Sequence, residues 1–349
     1  METINIGGKI IAEGESCFII AELSCNHLQN FELAVKTVHE MKKAGADCVK
    51  LQTVKPDSIT INSSKKDFII EGGTLWDGKS LFELYSQTYT PWEWHQPLKK
   101  LVEELGMIFF SSPFDNEAVD FLDQLNVPAF KIASFEITDI PLIRYAAAKQ
   151  KPMIISTGIA REQDIQDAVD ACRKEGNEQV ILLKCTSAYP TPMDEVNLNT
   201  IATIRNKFGC YVGLSDHTIG ELVPLGAVAL SAVVIEKHFI LDRSLGGPDA
   251  AFSMEPHEFK KMVDRVRELE SAMGTSELKL SPKVEKNRQF ARSLFVVEDI
   301  HEGELLSLKN IRSIRPGFGL PPKFLNDVIG KKATKNIEKG TPLSKDMFK

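Results

Sequence analysis

The chain has 349 residues, 43% of them hydrophobic and 26% charged, with a net charge of −6 at neutral pH. That length suits a barrel of roughly 250 residues plus a small module, and the composition is that of a globular protein able to bury a core. The acidic balance leaves no basic footprint for nucleic acid, and no apolar run approaches the roughly 20 residues of a membrane helix.

The opening METINIGGKIIAEGES lacks the charged-then-apolar layout of a signal peptide. Beyond it, short β-branched runs at 18–22, 48–52, 107–111, 129–133, 153–156, 180–185, 211–215 and 232–236 predict eight strands. Amphipathic stretches at 31–43, 117–125, 163–174 and 222–230 predict helices between them. Eight strand–helix units predict a closed (β/α)8 TIM barrel. No GxGxxG follows the first strand, as an open dinucleotide-binding sheet would require. One connection is long: 52 to 107, with all three tryptophans within 72–94, as befits a functional loop on the C-terminal face. A helix at 256–273 precedes a polar linker at 275–286. The remainder, 287–349, contains an echo, DIHEGELLS (299–307) against NIEKGTPLS (336–344), and predicts a small pseudo-symmetric β-rich domain. Six cysteines without a CxxC pair read as reduced core thiols and predict a cytoplasmic protein.

The predicted strand ends are polar: Glu22, Lys50 and Gln52, Ser112, Lys131 and Ser134, Ser156, Ser187, Ser215, His217 and His238. A single serine there marks no more than a turn. The whole set is harder to explain so, because Lys and Glu are costly to bury unpaired. Lys50 and Lys131 with the serines form a cradle for phosphate and carboxylate, a structural ion pair, or a Schiff-base site of the class I aldolase kind. His217 and His238, on neighbouring strands, can hold a divalent ion with open positions, and nitrogen ligands suit Mn, Co, Zn or Fe better than Mg.

Read in order, IIAELSCNH (19–27), AGADCVKLQT (44–53), FFSSPFD (109–115), AFKIASFE (129–136), KPMIISTG (151–158), LLKCTSAYPTP (182–192), VGLSDHT (212–218), VIEKHF (234–239), GGPDAAFSMEP (246–256) and RPGFGL (315–320) resemble the sialic acid synthase family over nearly the whole chain. The resemblance implies a barrel over 1–274, a linker and an antifreeze-like (SAF) domain over 287–349. It also implies condensation of phosphoenolpyruvate with an acetamido sugar on a divalent metal, Mn²⁺ being expected and Co²⁺ or Mg²⁺ the alternatives. Lys50, Ser112, Lys131, Ser134, Ser156, Ser187 and Ser215 would bind phosphoenolpyruvate, and His217 and His238 the metal. Glu22 and Gln52 would touch the substrates, Asp249 the sugar. Arg315 would reach the sugar in a neighbouring subunit's barrel, which implies a domain-exchanged homodimer. The segment at 69–95 is most similar to that of the pseudaminic acid synthases. Ser187, where N-acetylneuraminate synthases commonly carry Asn, points the same way. Neuraminate or legionaminate synthesis is the nearest alternative, and a non-catalytic sugar-phosphate-binding scaffold the alternative from another class.

Overall fold

Runs such as FIIAE and VILLKC lack polar alternation because both faces of a parallel barrel strand are covered, by the barrel interior and by the surrounding helices. In the computed structural model, which describes residues 1–71 and 77–349, eight such strands pair in parallel and close into a barrel. A hairpin of β1 (Ile4–Ile6) and β2 (Lys9–Ile11) precedes them. The barrel comprises β3 (Phe18–Glu22), β4 (Cys48–Thr53), β5 (Ile108–Pro113), β6 (Phe130–Ile132), β7 (Met153–Ser156), β8 (Val180–Cys185), β9 (Tyr211–Asp216) and β10 (Val234–His238). β10 closes the ring, opposing Lys237 to Asp216 of β9 and His238 to Glu22 of β3.

Each expected strand is present, but the last begins two residues late. Ser231 has a φ of 67°, so the chain is still turning there, and the strand runs on through His238. The helices Phe31–Lys43, Glu162–Lys174 and Pro256–Met273 fall where periodicity places them. Helices His95–Glu104, Ile140–Ala147 and Thr200–Phe208 fill further strand–helix units. The first of these shortens the long connection after β4.

The rest of that connection is docked on the barrel. Trp92 stacks on Phe121 at 4.6 Å and donates its indole N–H to the Val54 carbonyl at 3.3 Å. His95 is fully buried, 2.8 Å from the Thr53 hydroxyl, which in turn lies 2.6 Å from the Ser111 hydroxyl. Trp94 packs edge-on against His27 and Phe31. Residues 72–76 of the expected functional loop, Trp76 among them, lie outside the described residues.

The chain divides into two compact units, Met1–Gly274 and Thr275–Lys349. The second begins with an exposed stretch that includes a short helix, Pro282–Lys286, within the span expected as a polar linker. Antiparallel β11 (Ser293–Val296) and β12 (Ile311–Ile314) follow. The sequence echo is a structural one. Ile300 and Ile337 exchange backbone hydrogen bonds of 2.9 and 2.8 Å, while Gly303 and Gly340 share the left-handed φ that favours glycine. Leu306 and Leu343 from the two halves enter one core.

Gly213 of β9 leaves no room for a side chain: a β-carbon would lie 2.5 Å from the Val234 carbonyl oxygen and 2.7 Å from Leu183 Cδ2. Gly213→Ala should therefore destabilise the barrel by about 1–3 kcal/mol. An unchanged midpoint in chemical denaturation would refute that packing.

Candidate active site

Period-two alternation carries one set of strand-end side chains inward, where four charges meet. The Lys50 ammonium lies 2.8 Å from Glu22 Oε1 and 3.5 Å from Glu236 Oε2. Lys131 lies 3.6 Å from Glu236 Oε1 and donates to Ser156 Oγ at 2.7 Å. Ser215 donates to Glu236 Oε1 at 3.0 Å, and the Gln52 amide to Glu22 Oε1 at 2.9 Å. All four ionised side chains are at most 4% exposed.

Their environments differ. Burial alone would raise the Glu22 carboxyl, but His238, Lys50 and Lys131 hold it well below the usual range. Burial likewise opposes the charge on Lys50, and the two glutamates outweigh it, so its pKa is raised. On Lys131 burial prevails over Glu236, with Lys50 adding repulsion, and the pKa is lowered. Lys131 is thus the less compensated cation and the one with most to gain from an arriving anion.

Beside it, Ser187 donates to Ser134 Oγ at 2.9 Å, and the Ile159 backbone N–H reaches the same oxygen at 3.0 Å. This group crowds around Gly158. A β-carbon there would lie 2.2 Å from Ser187 Oγ, 2.6 Å from Ser134 Oγ and 3.0 Å from Cys185 Sγ. Hydroxyls, a backbone N–H and two ammonium groups are donors of the kind an anion would need.

Next to this group, with Cys185 Sγ 3.9 Å from His217 Nδ1, the rings of His217 and His238 are 5.2 Å apart, with Phe252 against both and Tyr189 against His217. Burial, reinforced by the charge of His238, pushes His217 down to about 3, so its ring is neutral. His238 lies 3.3 Å from Glu22 Oε2 through Nε2 and 3.4 Å from Asp249 Oδ2 through Nδ1. Outside the barrel, Lys237 and Asp216 form a fully buried ion pair at 2.5 Å that ties the two histidine strands together. Removing one partner of such a pair costs about 3–5 kcal/mol.

Among the described residues, no group of three or more His, Cys, Asp or Glu side chains is placed to hold an ion. The two histidines by themselves do fit one. A 5.2 Å ring separation lets a nitrogen of each reach a common ion at about 2.1 Å, and buried His238 Nδ1 has no hydrogen-bond partner. Two protein ligands leave the other positions to substrate and water.

Residues 37–278 match the NeuB family and residues 291–349 the SAF domain. The chain belongs to the NeuB family. It is 50% identical to the pseudaminic acid synthase of Campylobacter jejuni, over 95% of this chain and 96% of that one. To the pseudaminic acid synthase of Helicobacter pylori it is 49% identical, over 94% and 96%. The crystal structure of spore coat polysaccharide biosynthesis protein spsE from Bacillus subtilis superposes with a TM-score of 0.68 at 32% identity, covering 100% of this chain and 99% of that one.

In this NeuB-family chain, eleven of the residues singled out from sequence are linked by the contacts above: Glu22, Lys50, Gln52, Lys131, Ser134, Ser156, Ser187, Ser215, His217, His238 and Asp249. Ser112 sits opposite Gln52 in register, its hydroxyl buried and without a partner. Arg315 is exposed on the second unit, at the start of a loop held by Ser293, which donates to the Pro316 carbonyl and accepts from the Gly319 N–H. Sequence reasoning undervalued Glu236, two residues before His238 and therefore on its face. It missed Glu136, two residues after Ser134, and Ser24, two after Glu22. Spacing by two along the strand from His238 points to Glu236.

Glu136 Oε2 is buried without a hydrogen-bond partner. Burial raises its carboxyl from the ordinary 4.5 to about 7, with Lys131 offsetting only part of the shift. The folded protein therefore keeps a proton that the unfolded chain sheds between about pH 4.5 and 7, and stability falls as pH rises through that window. Glu136→Gln should be more stable than the parent at pH 8, with the gap closing by pH 5. Thermal melts at the two values check this; a gap of the opposite sign would sink it.

Proposed function

We propose that this chain is a pseudaminic acid synthase, condensing phosphoenolpyruvate with 2,4-diacetamido-2,4,6-trideoxy-L-altrose to give pseudaminic acid and phosphate. What carries the reading is a barrel mouth with an anion-binding side and a two-histidine side, in a chain that keeps about half its residues identical to proteins of that activity.

Lys131, Lys50 and the hydroxyls of Ser112, Ser134, Ser156, Ser187 and Ser215 bind the phosphate and carboxylate of phosphoenolpyruvate. This leaves its C3 directed across the mouth. Asp249, with Gln52, orients the sugar there. A divalent ion held by His217 and His238, Mn²⁺ in this proposal, supplies Lewis acidity toward the aldehyde oxygen. The new bond joins C3 to the aldehyde carbon, water adds at C2, and phosphate departs with its bridging oxygen by C–O cleavage. The aldehyde oxygen gains one proton while the water yields its own. Glu22, bonded by Lys50 and Gln52 beside His238, is the carboxylate placed to move a proton.

A domain-exchanged homodimer, with Arg315 reaching the partner's barrel, belongs to the same proposal. Exposed Ile61, Phe135, Ile159, Ile219 and Leu222 follow barrel strands, and exposed Phe318 stands near Arg315 in sequence, apolar surface of the kind subunits bury. A cytoplasmic location is supported by six free, buried cysteines.

The deciding experiment incubates purified protein with phosphoenolpyruvate, Mn²⁺ and, in parallel, the altrose, its legionaminate-pathway counterpart and N-acetylmannosamine. Mass spectrometry should find a nine-carbon acid from the altrose. Product only from another sugar overturns the substrate, and no phosphate release from phosphoenolpyruvate with any of the sugars returns the scaffold reading. Chelation should abolish turnover and Mn²⁺ restore it. His238→Ala should lose more than about 100-fold, beyond the 10–100-fold typical of outer-shell partners, and saturating Mn²⁺ should not rescue it. Near-normal turnover by that variant would remove His238 from the metal site.

A further inference from the structure

The loop after β3 contains three non-glycine residues in the left-handed region, Ser24 (φ 48°), Leu28 (φ 47°) and Gln29 (φ 55°). Ser24 is the most constrained by its surroundings: it is 2% exposed and comes two residues after Glu22. Glycine takes this conformation without penalty, so the backbone alone gives no reason for a serine. Such strain persists where surrounding structure over-determines it, and it clusters at ligand sites.

The side chain supplies the reason. Ser24 Oγ donates to Asp249 Oδ2 at 2.5 Å, the same oxygen that lies 3.4 Å from His238 Nδ1. The link is one of several between the two loops. The buried Asn26 amide donates to the Phe239 carbonyl and to Ser253 Oγ, and Ser253 Oγ donates to the Asp249 carbonyl at 2.6 Å. Asn26 and Ser253 thus hold the Asp249 main chain, while Ser24, His238 and Cys25 bond its carboxylate, Ser24 at 2.5 Å.

We infer that Ser24 is a positioning residue that sets the Asp249 carboxylate for the acetamido sugar and so helps decide which sugar is used. This rests on the reading of Asp249 as a sugar contact. Without the hydroxyl, Asp249 keeps its backbone place and its contacts with His238 and Cys25 but loses the 2.5 Å bond that fixes Oδ2, so the carboxylate can shift from the sugar. Phosphoenolpyruvate, held across the mouth by lysines and serines, is indifferent to that shift.

Two substitutions separate hydroxyl from backbone. Ser24→Gly removes the hydroxyl and relaxes the loop; Ser24→Ala removes the hydroxyl and keeps the strain. Steady-state kinetics of the Mn²⁺-loaded full chain should show KM for the sugar raised about 10-fold or more in both, as misplacement of a positioning group does. KM for phosphoenolpyruvate should stay within about 2-fold, and the Tm of Ser24→Gly should be no lower than that of the parent. In an Asp249→Ala background, Ser24→Ala should cause no further loss of sugar use, because the serine acts through the aspartate. Parent-like sugar kinetics in Ser24→Gly would overturn the inference, as would equal losses for both substrates or additive losses in the double variant. If Asp249→Ala itself leaves the sugar KM unmoved, the reading of Asp249 fails first and the inference falls with it.

Discussion

The structure depends on compensating charge that no solvent reaches. Glu22, Lys50, Glu236 and Lys131 meet inside a closed barrel, and isolating any one would leave an ion in a low-dielectric interior. Their pairing is set by strand register. Glu22 stands between His238 and Lys50 in adjacent strands, so the seam that closes the barrel also assembles the charges. Fold and site are therefore one problem: a register slip of one residue would turn every one of these side chains to the wrong face.

The balance is uneven in a useful direction. Lys50 has a carboxylate at 2.8 Å and another at 3.5 Å, whereas Lys131 has only one, at 3.6 Å. Among the described residues Ser112 Oγ, Glu236 Oε2 and His238 Nδ1 are buried at this mouth without hydrogen bonds, and a native protein keeps few such groups without cause. They are concentrated around the two lysines and the two histidines. The histidines are held from behind as well, since Lys237 and Asp216 clamp β9 to β10 from outside the barrel. The site is built on rigid strands, and its supports are charged on both sides of the wall.

Much of this was legible in the sequence because parallel strands buried on both faces read as apolar runs, and because every second polar residue ending such a run faces the barrel interior. The limits have physical causes. Ser231 looks like part of a strand until its left-handed φ shows a turn still in progress. Ser24 and Glu136 carry no special motif; their importance comes from a partner 225 positions away in one case and from burial in the other. Such facts belong to three-dimensional packing. The SAF echo was visible because its two halves repeat chemistry as well as shape, down to the glycine each turn requires.

Gly158 carries a consequence for anyone wishing to redirect this chemistry. With two hydroxyls and a thiol converging where a β-carbon would stand, any larger residue there would push the Ser134 and Ser187 hydroxyls out of place. Directed evolution toward a new sugar would have to leave that wall alone and work from the loop that carries Asp249 and the segment anchored by Trp92. The enzyme is conservative about one reactant and open to change about the other, and a library designed on that asymmetry would spend few of its members on dead sequence.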